Sequence, residues 1–314
     1  MGKQEIQKKF FKVKNIIDKD FFHIFLISNP IFELISYVWI NKLGLDQNKI
    51  ILIRLREPST SLFKGKYKYF KKTLFDRLCK KLNYDNHSRK ILKWTSQNFP
   101  NYYIYCARLN QEAEKLINHQ NCRGHFYIEE GQISHNRKQI FEKNYKGNLR
   151  ELNKPIFAAD KEYHFRKDAI LFIGIDNHVF PLVESEKKII LDDLNLVKNV
   201  YKPQLIGIEK IALVPAPRRI QKINFDKFLE IFINSIPKKS CIKFHPGFQY
   251  SDSKLEELEN HINSKFNTFY RVCRNNVIIE IEMMFEKKCI FGSKSSLEIY
   301  TKKFGSSYNN ISLY

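Results

Sequence analysis

His125-Phe126-Tyr127-Ile128, followed at once by Glu129-Glu130-Gly131, is a short apolar run that ends in charge and a turn. Alone it fits a buried strand or a buried helical segment equally well. Its surroundings decide between them. Runs of the same kind stand at 24–28, 50–54 and 102–106 before it, and at 169–173, 210–214, 240–244 and 289–291 after it. Between the runs lie stretches with helical spacing: one opened by Pro30 over 31–40, others over 111–119, 225–236 and 254–265, and a new helix starting at Ser295. Short apolar runs alternating with helices predict parallel sheets covered by helices on both faces. Residues 184–200 read as a charged helical stretch, 137–166 as polar and irregular, and 276–280 as a strand or strand end. The alternation restarts near residue 200. The expectation is therefore two α/β domains, 1–200 and 201–314.

Composition narrows the class. The chain has 314 residues, 43% of them hydrophobic, which suffices for two cores. Six cysteines are scattered with no CxxC pair, and they read as buried free thiols of a reducing compartment. The basic first 20 residues lack the apolar core of a secretory signal, and the apolar stretch 21–40 is interrupted by His23, Asn29, Pro30 and Glu33. A cytoplasmic location is expected. The formal net charge of +21 calls for an anionic partner. The densest basic stretch, 64–72, mixes lysines with aromatics and is followed by Lys80-Lys81 and Arg89-Lys90. It fits an anionic membrane surface, a nucleic-acid patch or a solvated face. No helix-turn-helix, RNP or zinc pattern supports nucleic acid as the partner. There is no Walker loop and no GxGxxG. Asp18-Lys19-Asp20 has the letters of a metal-binding motif but precedes the first strand, so no metal site is expected.

In parallel sheets ligands sit beyond the carboxyl ends of strands. Three such ends carry chemistry here: Glu129-Glu130-Gly131, then Lys243-Phe244-His245-Pro246-Gly247, then Gly292-Ser293-Lys294-Ser295-Ser296. A carboxylate there can take a proton from a hydroxyl, or simply form a solvated acidic turn. A histidine held extended by the next proline can stabilise a phosphate, or cap a loop. Ser295 to Glu298 fits a capping box, and a helix start also suits a phosphate.

In order and placement, these motifs resemble those of bacterial sialyltransferases of the lipooligosaccharide and polysialyltransferase type. That family has an acidic-acidic-Gly motif, a Lys-x-His-Pro motif and a Ser-Ser motif at a late helix start. The first strand and its loop, Ile27-Ser28-Asn29-Pro30, look similar as well. The resemblance implies a GT-B-like fold, two Rossmann-like domains facing a central cleft, and inverting, metal-independent transfer from CMP-sialic acid to a cell-surface glycan. It implies Glu129 as base, with Glu130 the close alternative and Asp226 a minor one. His245 and the serines would stabilise the phosphate. Lys243 and Pro246 would help hold the nucleotide and Glu282 the ribose, with Glu280 the alternative, while Ser28 and Asn29 would contact the donor sugar. No cofactor is expected. An anionic membrane surface is an expected partner, and a homodimer is compatible, since relatives include dimers. The motifs report CMP better than the sugar, so CMP-Kdo stays open as donor. A basic nucleic-acid-binding protein is the reading from a different class.

Overall fold

The computed structural model describes residues 11, 13, 15–54, 62–63, 67–71, 73, 75–76, 79, 85–131, 134–135, 165–220, 224–293, 295 and 297–312. These form two compact units, the first ending at Val197 and the second starting at Lys198. Most of the irregular segment 137–166 lies outside the described residues.

The first unit is built on a parallel sheet. Its strands are β1 (Phe22–Ile27), β2 (Ile50–Arg54), β3 (Tyr67–Tyr69), β4 (Tyr102–Cys106), β5 (Cys122–Ile128), β6 (Leu171–Gly174) and β7 (Lys188–Ile190), in the order β3-β2-β1-β4-β5-β6-β7. The chain steps outward from β1 to β3 and then returns to β4 on the other side of β1. This is a Rossmann-like order, and the switch point falls between β1 and β4. The central strands are largely apolar, as for strands covered by helices on both faces, and every residue of β4 is buried. Phe25, Tyr105 and Phe126 stack across β1, β4 and β5 with ring centroids 4.1 and 4.5 Å apart. Each such pair adds about 0.5–1.5 kcal/mol beyond burial and holds the three strands level. Helix α1 (Pro30–Leu43) starts where the sequence signals it: Asn29 accepts from the Phe32 amide at 2.9 Å, Pro30 opens the first turn, and Gly44 at φ +66° ends the helix. Its buried face includes Phe32, Ile35 and Trp39.

The second unit repeats the plan with β8 (Lys210–Leu213), β9 (Cys241–Lys243), β10 (Arg271–Val272), β11 (Cys289–Gly292) and β12 (Ser307–Asn310), in the order β10-β9-β8-β11-β12. All pairings are parallel, and the switch point lies between β8 and β11. Helix α2 (Phe225–Ser235) packs Phe228, Leu229, Phe232 and Ile233 into this core, and α3 (Asp252–Phe266) adds Leu255, Leu258 and Ile262.

The structure differs from two expectations of the sequence. Residues 184–200 hold short 3-10 turns around β7, not a helix. Residues 276–280 lead into helix α4 (Ile279–Phe285), not a strand, and the true strand β10 lies upstream with only two residues. The edge strands β3 and β12 carry mostly exposed, polar positions, so no apolar run marks them. All six cysteines are unbridged, four of them buried. No helix among the described residues is long and apolar enough to cross a membrane.

Candidate functional site

In the first unit the acidic motif divides its two side chains between two surroundings. The Glu129 amide donates to the Ile173 carbonyl at 2.9 Å, so the ladder with β6 continues one residue past Ile128. Glu129 therefore turns its carboxylate in against β6. It is fully buried, accepting from the Ile175 amide at 2.7 Å and lying 2.6 Å from His135 Nε2. A Cβ at Gly174 would come within 2.8 Å of this carboxylate, so the glycine makes its room. Gly131, at φ +111°, turns the chain back, and its carbonyl accepts from the Ser134 and His135 amides. That return brings His135 to Glu129.

Glu130 faces the other way, as adjacent residues of an extended chain must. Its carboxylate accepts from Ser28 Oγ at 3.2 Å and lies 3.8 Å from Arg108 Nε, with its side chain 12% exposed. Its carbonyl accepts from Asn29 Nδ2 at 2.8 Å. Residues following β1, β4 and β5 thus meet around Glu130 at the switch point. Glu129, expected to face outward, is thus the buried member of the pair, and Glu130 is the one at the switch point. Ser28 and Asn29 hold Glu130. Arg108, which the sequence reading did not single out, follows β4 by two residues, and that placement was its signal.

In the second unit Lys243 ends β9. Its ammonium donates to the Arg274 carbonyl at 2.8 Å, and burial lowers its pKa. His245 caps the short turn Pro246–Phe248, its Nδ1 accepting from the Gly247 amide at 2.9 Å. That bond makes Nε2 the protonated nitrogen of the neutral ring. Lys243, His245, Pro246, Tyr250, Cys273 and Asn275 line one small depression at the carboxyl end of β9. Glu280, half-buried in the first turn of α4, has its carboxyl pushed up by burial, while Lys243 pulls it down.

Glu282, expected at the ribose, is held within the unit by its own chain. It is fully buried, and its two oxygens accept from the Tyr201 hydroxyl at 2.7 Å and from the Gln204 and Leu205 amides at 2.8 and 3.0 Å. It fastens the segment 201–205 to α4, and its inward side of the helix explains why. Ser295 Oγ accepts from the Leu297 amide at 3.3 Å at the start of helix α5 (Leu297–Lys303). Ser296 lies outside the described residues. Asp226 is exposed on α2 and pairs with His261 and Lys265. Asp18 accepts from the Asp20 amide at 2.9 Å ahead of β1, away from the carboxyl ends. Among the described residues no cluster of three His, Cys, Asp or Glu is placed to hold a metal ion.

No family model matches the sequence, and no curated protein matches it. Similarity appears in the fold. The S. aureus MnaA–UDP co-structure is similar at a TM-score of 0.50 and 10% identity, over 93% of this chain and 80% of that one. A UDP-GlcNAc 2-epimerase from Neisseria meningitidis bound to UDP-GlcNAc is similar at a TM-score of 0.42 and 9% identity, over 91% and 81%. At such identities the likeness is one of fold, and the fold of this chain is GT-B-like, with two Rossmann-like domains.

Proposed function

We propose that this protein is an inverting glycosyltransferase that moves sialic acid from CMP-sialic acid to a hydroxyl of a cell-surface glycan. One observation carries the reading: each unit gathers a different chemistry at the carboxyl ends of its strands. Glu130, a carboxylate, stands at the switch point of the first unit. His245 stands beyond β9 in the second, with Lys243 beside it on the strand. Transfer of a sugar needs both chemistries. The acceptor oxygen attacks the anomeric carbon, and its proton passes to a carboxylate. The bond from that carbon to the phosphate oxygen breaks, and its electron pair leaves on the phosphate, where donors must stabilise it. In this reading Glu130 is the base, and His245, with the serines after β11, receives the phosphate. Glu280 takes the ribose role first given to Glu282, because its carboxyl stands near Lys243 while Glu282 is occupied by the chain itself.

The motif resemblance supplies CMP-sialic acid as donor, and the likeness to a fold solved with UDP supports a sugar nucleotide in general. Lys68 and Lys71, the described members of the basic stretch, would join it in holding the enzyme to an anionic inner-membrane surface where lipid-linked acceptors are made. A donor screen tests the assignment. CMP-sialic acid, CMP-Kdo and UDP-GlcNAc are each incubated with an acceptor mixture, and free CMP or UDP is measured. CMP release from CMP-sialic acid, dependent on acceptor, is expected. Release from CMP-Kdo alone would change the sugar. Conversion of UDP-GlcNAc, with both CMP-sugars untouched, would overturn the reading.

A further inference from the structure

We infer that Arg219 binds the phosphate of the donor nucleotide, in a subsite shaped by Ser293 and Tyr308. This rests on the proposed reading of His245 as the group that receives that phosphate, and it adds a cation no motif contains.

The placement comes from the strand register. Strands β8 and β11 pair from Cys289↔Lys210 to Gly292↔Leu213, so the turns leaving them start side by side at the second unit's switch point. The turn after β8 carries Pro215-Ala216-Pro217-Arg218-Arg219, and the Arg219 amide closes it by donating to the Ala216 carbonyl at 2.8 Å. Two prolines restrict this backbone, so the arginine is presented from a stiff turn. From the other side, Arg219 Nη1 donates to Ser293 Oγ at 3.3 Å. The Tyr308 hydroxyl donates to the Ser293 carbonyl at 2.6 Å and fixes that second turn. Burial pushes the Tyr308 hydroxyl up to about 12, so it remains a donor. Gly292 is what lets the tyrosine reach across, since a Cβ there would sit 3.0 Å from its hydroxyl.

A separate contact ties this turn to His245. A Cβ on Gly247 would meet His245 Nδ1 at 3.0 Å and Pro217 Cδ at 3.2 Å. The loop bearing His245 and the turn bearing Arg219 therefore pack directly against each other, with only a glycine's room between them. One imidazole offers a single donor to a leaving phosphate. A guanidinium offers a planar fork that matches phosphate oxygens two at a time. Tyr308 and Ser293 are positioning residues, and Arg219 is the one that touches the ligand.

The test compares CMP with cytidine, which lacks the phosphate, by calorimetric titration of wild type, Arg219→Ala, Arg219→Lys and Arg218→Ala. Wild type should prefer CMP. Arg219→Ala should shrink that preference about 10- to 100-fold with cytidine affinity unchanged, as for loss of a charged hydrogen-bonding partner. Arg219→Lys should keep part of it. Arg218→Ala, which removes the same charge from the exposed neighbour, should stay within about two-fold of wild type, the change expected where no phosphate contact is lost. If Arg219→Ala keeps the full preference, or Arg218→Ala loses as much, the subsite is wrong while the nucleotide reading stands. A wild type that binds neither compound overturns both.

Discussion

Glu129 and Glu130 are adjacent and chemically alike, yet the structure predicts different failures for their glutamine variants. Glu129→Gln keeps the size but replaces a buried carboxylate that accepts from the Ile175 amide and faces His135 at 2.6 Å. The amide can satisfy only one of these partners as acceptor. A charge-assisted bond is lost and a buried donor is left poorly matched, at a cost of about 1–3 kcal/mol. In a unit of this size each kcal/mol shifts the melting temperature by roughly 2–4 °C, so a fall of about 2–12 °C is expected. Glu130→Gln changes a partly exposed side chain, and the Asn29 contact is to its carbonyl and survives. Its stability should stay within about 0.5 kcal/mol of wild type. Its single-turnover transfer rate should fall about 100- to 10,000-fold, the range for loss of a general base. The assays are thermal unfolding and single-turnover transfer on both variants, with donor affinity as control. A stable but inactive Glu129→Gln beside an active Glu130→Gln would contradict this orientation. If both transfer normally, the base is neither, and Asp226 is the next residue to test.

His245→Ala should lower turnover at least about 100-fold with the fold intact, since one preorganised donor to a developing charge is worth about 2.7–4 kcal/mol; near-normal turnover in the folded variant removes it from the mechanism. Transfer should persist in EDTA, and activity lost on chelation and restored by magnesium or manganese would contradict the metal-independent reading. Glu282→Gln should loosen the attachment of 201–205 and lower the unfolding temperature, whereas Glu280→Gln should weaken CMP binding at unchanged stability; the opposite pattern would return the ribose role to Glu282. Acid should destabilise the protein between pH 6.5 and 4. Burial holds His23 and His125 down to about 4 in the folded state, so there the unfolded chain takes up protons that the native state refuses. Stability is full above pH 6.5 and falls by up to about 3 kcal/mol per histidine as the pH drops; a flat denaturant-unfolding profile across that window would show that neither is buried neutral.

The sequence made the central strands legible because they are buried on both faces, where apolar and aromatic residues dominate and His23 and His125 are exceptions. It hid β3, β10 and β12 because edge strands are short and partly solvated, leaving no run to read. The three loaded strand ends were legible because parallel sheets put ligands there. Their internal geometry was not. Which glutamate faces outward depends on the β5–β6 ladder running one residue further, a fact of pairing rather than of letters. Glu280 and Glu282 differ only in which side of α4 meets the segment 201–205. Arg108 and Arg219 are ordinary arginines until the strand order brings their turns beside Glu130 and Ser293.

The most direct measurement is product analysis. The protein is incubated with CMP-sialic acid and a panel of galactose-terminated and sialic-acid-terminated glycans, and the glycans are examined by mass spectrometry and linkage-specific sialidase digestion. A glycan carrying one or more added sialic acids of inverted anomeric configuration is expected from wild type, formed at least about 100-fold more slowly by His245→Ala. Glycans left unmodified by a folded, CMP-binding wild type across the whole panel, with CMP-sialic acid intact, would contradict it.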